Sequence, residues 1–173
     1  VTLVFVDCEA SGPCPGWGVC TEFGAVEYIP IDDPRRAGDF GGEDFPRGPV
    51  GRTFRGVVYS RDGKVLLNDP VTVWSSFDVW LREVRGAGGA VSMVTDNPAF
   101  DWQWVNAGLW GSTGSNVLGH SARRIGDFYA GLTGDFRNTQ RWKRLRVTEH
   151  DHDPVHDAAG NCEAFDRILR GER

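Results

Sequence analysis

The sequence predicts a single α/β domain built on a mixed central sheet flanked by helices. Three observations carry that expectation. The first third of the chain holds three strand-like runs separated by turns, helical periodicity takes over near residue 70, and one buried strand-like run interrupts the helical part. With 173 residues the chain fits one domain large enough to bury a core, so residues 1–173 are expected to form one unit.

The elements follow in order. Leu3 to Val6 is continuously apolar, as in a strand buried on both faces. The turn SGPCPGWG separates it from CTEFGAVEYI, which reads as a second strand. Residues 30–51 hold several Pro, Gly and Asp residues without periodicity and read as a surface loop. A third strand is expected over residues 53–60, followed by the turn Arg61-Asp62-Gly63, so the three strands should form an antiparallel meander. Phe77, Trp80, Leu81 and Val84 fall at offsets 0, 3, 4 and 7, one face of a helix. AVSMVTD reads as a further buried strand. Asn97 is expected to cap a helix that opens on Pro98 and turns Phe100, Trp104 and Val105 inward. The loop LWGSTGSN leads to a helix near residues 121–132. A last helix, capped by Asp153 and opening on Pro154, carries Ala158, Cys162, Phe165 and Leu169 on its inner face.

Composition narrows the function. Hydrophobic residues make up 40% and charged residues 25%, which is ordinary for a folded domain. No apolar run is long enough to span a membrane. The strand-like run VTLVFVD begins at residue 1, so no signal peptide is expected, and Cys8, Cys14, Cys20 and Cys162 are expected as reduced thiols in a cytoplasmic protein. Their spacing matches no zinc pattern. A net charge of −5 argues against wholesale electrostatic binding of nucleic acid, but an acidic site that holds cations inverts the field locally.

The carboxylates are the chemical signal. Asp7 and Glu9 stand at alternate positions near the end of the first strand and so project from the same face. Two adjacent oxygen donors of this kind suit Mg²⁺ or Mn²⁺. With 24 Asp and Glu residues, an Asp-x-Glu triplet arises by chance roughly 0.7 times, so the pair alone means little. The shared setting of two further carboxylates adds weight. Asp101 and Asp157 each follow a Pro by three residues, and each Pro opens a helix behind a capping residue. Both therefore sit one turn inside a helix start, where the dipole favours negative charge. Four such carboxylates around two cations would make a clamp suited to phosphoryl displacement. His152, on the loop before the last helix, has the freedom of a general base, and an imidazole titrates near neutral pH. His156 is equally near Asp157 in sequence but points about 100° away from it around the helix axis.

On these residues the sequence resembles the DEDD exonucleases in their His-variant form. VFVDCEASGP with TEFGAVEY is similar to the first motif of that family, DNPAFDW to the second, and HDPVHDAAGNCEA, with His-x4-Asp, to the third. NVLGHSARRIGDFYAGL is similar to the linking helix of a group of small bacterial and phage enzymes, which includes a mycobacterial-type 3′ exoribonuclease and a T-even phage exonuclease. The resemblance implies an RNase H-like fold, with Asp7, Glu9, Asp101 and Asp157 as ligands of two Mg²⁺ or Mn²⁺ ions and His152 as the base. It implies removal of 5′-mononucleotides from the 3′ ends of single-stranded RNA or DNA, with RNA favoured, and suggests a homodimer by analogy. The loop at residues 30–51 has no counterpart in the family pattern, and Cys8 stands between the two acids where another uncharged residue is usual.

Arg123, Arg124, Ser11 and Trp102 are the candidates for substrate contact. Arg137, Arg141, Lys143, Arg144 and Arg146 concentrate further positive charge around Trp142, which reads either as a track for a nucleic-acid backbone with an aromatic for stacking or as a solvated surface. Two rival readings compete with an exonuclease. EHDHDPVHD partly matches the His-x-His-x-Asp-His zinc motif of metallo-β-lactamase-like hydrolases, with His150 and His152 at its first two positions, but Pro154 and Val155 occupy the Asp and last His positions and only His120 remains elsewhere. The other is a nuclease-like domain that binds nucleic acid without cutting it, against which the intact acidic set counts.

Overall fold

The computed structural model describes residues 1–34 and 48–173. The expected surface loop therefore lies largely outside the described residues, and its last two positions, Val50 and Gly51, belong to a strand. Five strands form one mixed sheet. β1 (Thr2–Ala10), β2 (Cys20–Tyr28) and β3 (Val50–Val57) are the antiparallel meander, and β4 (Val91–Thr95) and β5 (Arg123–Arg124) extend it in parallel, in the order β3-β2-β1-β4-β5. Four helices flank the sheet: α1 (Pro70–Arg85), α2 (Pro98–Thr113), α3 (Ile125–Thr133) and α4 (Pro154–Leu169), with a 3-10 turn at Arg141–Leu145. None of the described helices is long and apolar enough to cross a membrane.

The alternation of β1 divides the core in two. Val4, Val6 and Cys8 pack with Phe23, Trp74, Phe77, Leu81, Trp104 and Leu109 on the α1 and α2 side. Phe5 faces the other way, with Val26, Ile125, Tyr129, Trp142, Ala158 and Cys162 on the α3 and α4 side. Asp7 and Glu9 share the parity of Phe5, so β1 directs both acids toward α4. The ladder register shifts between Glu9 and Ala10, ending the regular strand where the second acid stands.

Several expectations need correction. Arg123 and Arg124 are not helical; they pair with Val94 and Thr95 as a two-residue edge strand, and α3 begins after them. Asn97 occupies the cap position of α2 but its side chain makes no capping bond; Thr95 Oγ1 instead accepts its backbone N–H at 3.2 Å. Leu169 is 51% exposed while Ile168 is buried, so the inner face of α4 is rotated by about one residue at its end. Trp142 is fully buried and donates Nε1–H to the Thr139 carbonyl, which removes it as a stacking platform. Cys8, Cys14, Cys20 and Cys162 form no disulfide.

Candidate active site

The start of α4 is seated by one row across the sheet. Asp7, Gly24 and Arg55 are register partners on β1, β2 and β3. At Gly24 an added Cβ would lie 2.3 Å from the backbone of Pro154 and Val155, so only glycine lets the helix start approach the sheet this closely. Arg55 pairs with Glu22 and with Asp153, and Asp153 in turn caps the helix by accepting from the N–H groups of Val155 and His156. Pro154 at the first position and the cap together fix where the first turn of α4 falls, and Asp157 lies in that turn.

Carboxylate oxygens of Asp7, Glu9 and Asp157 lie within 4.8 Å of one another. Asp157 is wholly buried, and neither of its oxygens has a hydrogen-bond donor in acceptable geometry. The Nδ1 atom of His150 does lie 2.6 Å from Oδ1, and Arg146 lies 3.7 Å from the same oxygen. Asp101 approaches from the first turn of α2, on the opposite face. Its Oδ1 accepts the Cys8 N–H at 3.1 Å and its Oδ2 accepts the Thr95 hydroxyl. It thus stands behind the other three carboxylates, with both oxygens already bonded.

Burial raises the Asp7 carboxyl to about 9, reinforced by the neighbouring Asp101, Asp157 and Glu9 charges and only partly offset by Arg146. Burial also raises Asp101 to about 7, against the lowering effect of its bonds from Thr95 and Cys8. A buried carboxylate without donors beside others of like charge is unfavourable by itself. The arrangement would become favourable if divalent cations supplied the missing positive charge. The donors are oxygens of the kind Mg²⁺ and Mn²⁺ prefer, so the residues present fit such ions.

The histidines separate clearly. His152 places Nδ1 3.5 Å from Glu9 Oε1, is 67% exposed, and adopts a left-handed backbone with φ of 62°. That conformation is uncommon for a residue other than glycine. His156 turns away and pairs with Asp151 at 2.9 Å, outside the carboxylate cluster. His150 was not among the site residues expected from sequence, yet it joins His152 and Asp157 in a second close group. His120 belongs to neither group of potential ligands among the described residues.

The expected substrate contacts are dispersed. Arg123 reaches Ser92, and Arg124 is held by the Asp96 carbonyl and Asp127, at the sheet edge. Ser11 accepts the Val19 N–H and supports its own loop. Trp102 is partly buried against the α1–α2 core. Arg146, read with its basic neighbours as either a backbone track or a solvated surface, is turned inward and donates to Asn161. Thr95 and Arg61, whose Nη2 donates to the His152 carbonyl at 3.2 Å, are additions that the sequence reading missed, while His150 had entered it only through the rival zinc motif and Arg146 only as part of the basic segment. Nothing in the local pattern marks Thr95 or Arg61, because each meets its partner on another element.

No family model matches the sequence, and no curated protein matches it. Solved structures do. The chain is similar to a full-length 3′-exonuclease (13% identity, TM-score 0.61, covering 98% of this chain and 60% of that one). It is also similar to E. coli exonuclease I in a zinc-bound complex with single-stranded DNA (12%, 0.57, 98% and 39%). A third likeness is to a moderately thermophilic exonuclease I from Methylocaldum szegediense (13%, 0.56, 98% and 43%). The chain thus spans between about two fifths and three fifths of these proteins. The shared architecture is the RNase H-like exonuclease fold, with the mixed five-stranded sheet described above.

Proposed function

We propose that this domain is a metal-dependent 3′→5′ exonuclease that releases 5′-mononucleotides from single-stranded nucleic acid. One observation carries the reading: Asp7, Glu9 and the donor-less buried Asp157 converge at one end of the sheet, with His152 beside Glu9 on an exposed loop. Asp101 is the fourth carboxylate of the set. Two divalent cations held there would supply charge neutralisation and Lewis-acid polarisation of a phosphoryl oxygen. The chain's residues do the rest. Asp7, Glu9, Asp157 and Asp101 would provide the oxygen donors, Asp101 also holding the β1 backbone at Cys8, and His152 accepts the proton of the attacking water. RNA as the favoured substrate rests on the sequence resemblance alone. A non-cleaving binding domain would have no use for so costly a carboxylate cluster.

The test is digestion of matched 5′-labelled single-stranded RNA and DNA with Mg²⁺ or Mn²⁺. A ladder shortening from the 3′ end is expected, with EDTA abolishing it. His152→Ala should lower turnover about 10²- to 10⁴-fold, the usual range for general-base catalysis, and His156→Ala should cost far less. A His156→Ala variant that folds but is the more damaged of the two would overturn the assignment of the base.

Thr95→Val keeps the shape of a fully buried side chain while removing the hydroxyl bonded to Asp101. Loss of a partner that orients a ligand typically costs about 10- to 100-fold. A fall of that size in activity is expected, with circular dichroism unchanged. Wild-type turnover would show that Asp101 needs no such support.

A further inference from the structure

We infer that Arg61 forms a phosphate subsite at the mouth of this site and couples phosphate binding to the position of His152, an inference that rests on the function proposed above. The carboxylate cluster repels a polyanion wherever cations do not screen it, so a nearby uncommitted cation has a role to fill. Most cations around this end of the sheet are already engaged. Arg55 is held by Glu22 and Asp153, Arg146 by Asn161, Lys143 by Asp96, and Arg124 by Asp127. Arg61 differs. It is exposed and makes no ion pair among the described residues, and its one hydrogen bond runs from Nη2 to the His152 carbonyl oxygen at 3.2 Å. A guanidinium has five N–H donors in a planar fork, so most remain available for phosphate oxygens.

Its placement is fixed independently of its side chain. The turn at 60–63 is closed by the Gly63 N–H to the Ser60 carbonyl at 2.7 Å, and Asp62 accepts from the Ser60 hydroxyl and the Lys64 N–H. At Gly63, with φ of +71°, an added Cβ would lie 2.6 Å from Ser11 Oγ, so the turn docks on the loop that follows Glu9. Arg61 then closes a cavity of about 130 Å³ with Glu9, Ala10, Thr21 and His152, which has room for a phosphate group and its waters. The same guanidinium holds the carbonyl of the residue in the left-handed conformation. A phosphate drawn to Arg61 therefore meets a loop already set with His152 beside Glu9.

The phosphate concerned is the one that becomes the 5′-phosphate of the released nucleotide, so the product is the probe. Calorimetric titration of adenosine 5′-monophosphate and of adenosine, with Ca²⁺ present, measures the phosphate's contribution without turnover. Wild type should bind the monophosphate more tightly than the nucleoside. Arg61→Gln should lose about 10- to 100-fold of that difference, the range for charge-assisted hydrogen bonds, and Arg61→Lys should restore part of it as a point charge. In cleavage assays Arg61→Gln should raise KM and also lower kcat, because His152 loses its tether. The side chain makes no structural bond except that tether, so the melting temperature should stay unchanged. Wild-type monophosphate affinity and kinetics in Arg61→Gln would overturn the subsite. A wild-type protein that binds the monophosphate through Arg61 but shortens no oligonucleotide would support the subsite while removing the exonuclease reading.

Discussion

Asp157→Asn is expected to lose cleavage by about 10³-fold or more while making the metal-free protein more stable. On the function proposed above, the loss follows from removing an oxygen donor that would hold a cation worth several kcal/mol of transition-state stabilisation, each ~1.4 kcal/mol being tenfold in rate. The gain follows from burial. The carboxylate is fully enclosed, has no hydrogen-bond donor in acceptable geometry despite His150 and Arg146 nearby, and helps to drive up the Asp7 carboxyl. An amide of the same shape removes that charge and adds donors of its own. Relief of even about 1 kcal/mol raises the melting temperature of a protein this size by roughly 2 to 4 °C. Lost activity with gained stability is the mark of a residue kept for function rather than folding. Calorimetric melting in EDTA beside the oligonucleotide assay checks both halves. A folded variant that cleaves at the wild-type rate would remove Asp157 from the metal site.

The second large effect is on the pH dependence of stability. Asp7 sits at about 9 and Asp101 at about 7 in the folded chain, against 3.8 for the ordinary group. Between these values the native state binds more protons than the unfolded one, so stability must fall as pH rises. In EDTA the melting temperature should therefore decline from pH 5 to pH 9, with a slope of up to about 1.4 kcal/mol per pH unit for each such proton. His156, raised by its bond to Asp151, contributes with the same sign, since its partnered charge is lost as pH rises. Asp7→Asn removes the largest of these contributions and leaves those of Asp101 and His156. Saturating Mg²⁺ or Mn²⁺ binds the ionised carboxylates and should reverse most of the decline, the more so at high pH. A flat or rising profile in EDTA, or an unchanged slope in Asp7→Asn, would show that the cluster carries no such strain.

Local pattern alone determined much of this protein. An apolar run with alternate acids predicts β1 and the shared direction of Asp7 and Glu9. A Pro behind a capping position predicts the starts of α2 and α4, and with them Asp101 and Asp157 in a first helical turn. Helical phase predicts that His156 points away from Asp157. All of these depend on neighbours a few residues apart, where backbone geometry sets which side chains share a face.

What the tertiary structure decided depends on groups carried by separate elements of the fold. Arg123 and Arg124 look helical beside Ile125, but pairing with Val94 and Thr95 at an open sheet edge makes them a strand. Trp142, set among basic residues, is buried because α3 and α4 close over it. The close seat of α4 on Gly24, the bond from Thr95 to Asp101, and the approach of His150 and Arg61 to the site arise only when separate elements are packed. Hydrophobic patterning specifies which face of each element is buried, but the contacts made at the element ends follow from how those faces dock together. The carboxylate cluster stands at such ends, so its residue types could be read from the sequence while its supporting partners had to be found in the fold.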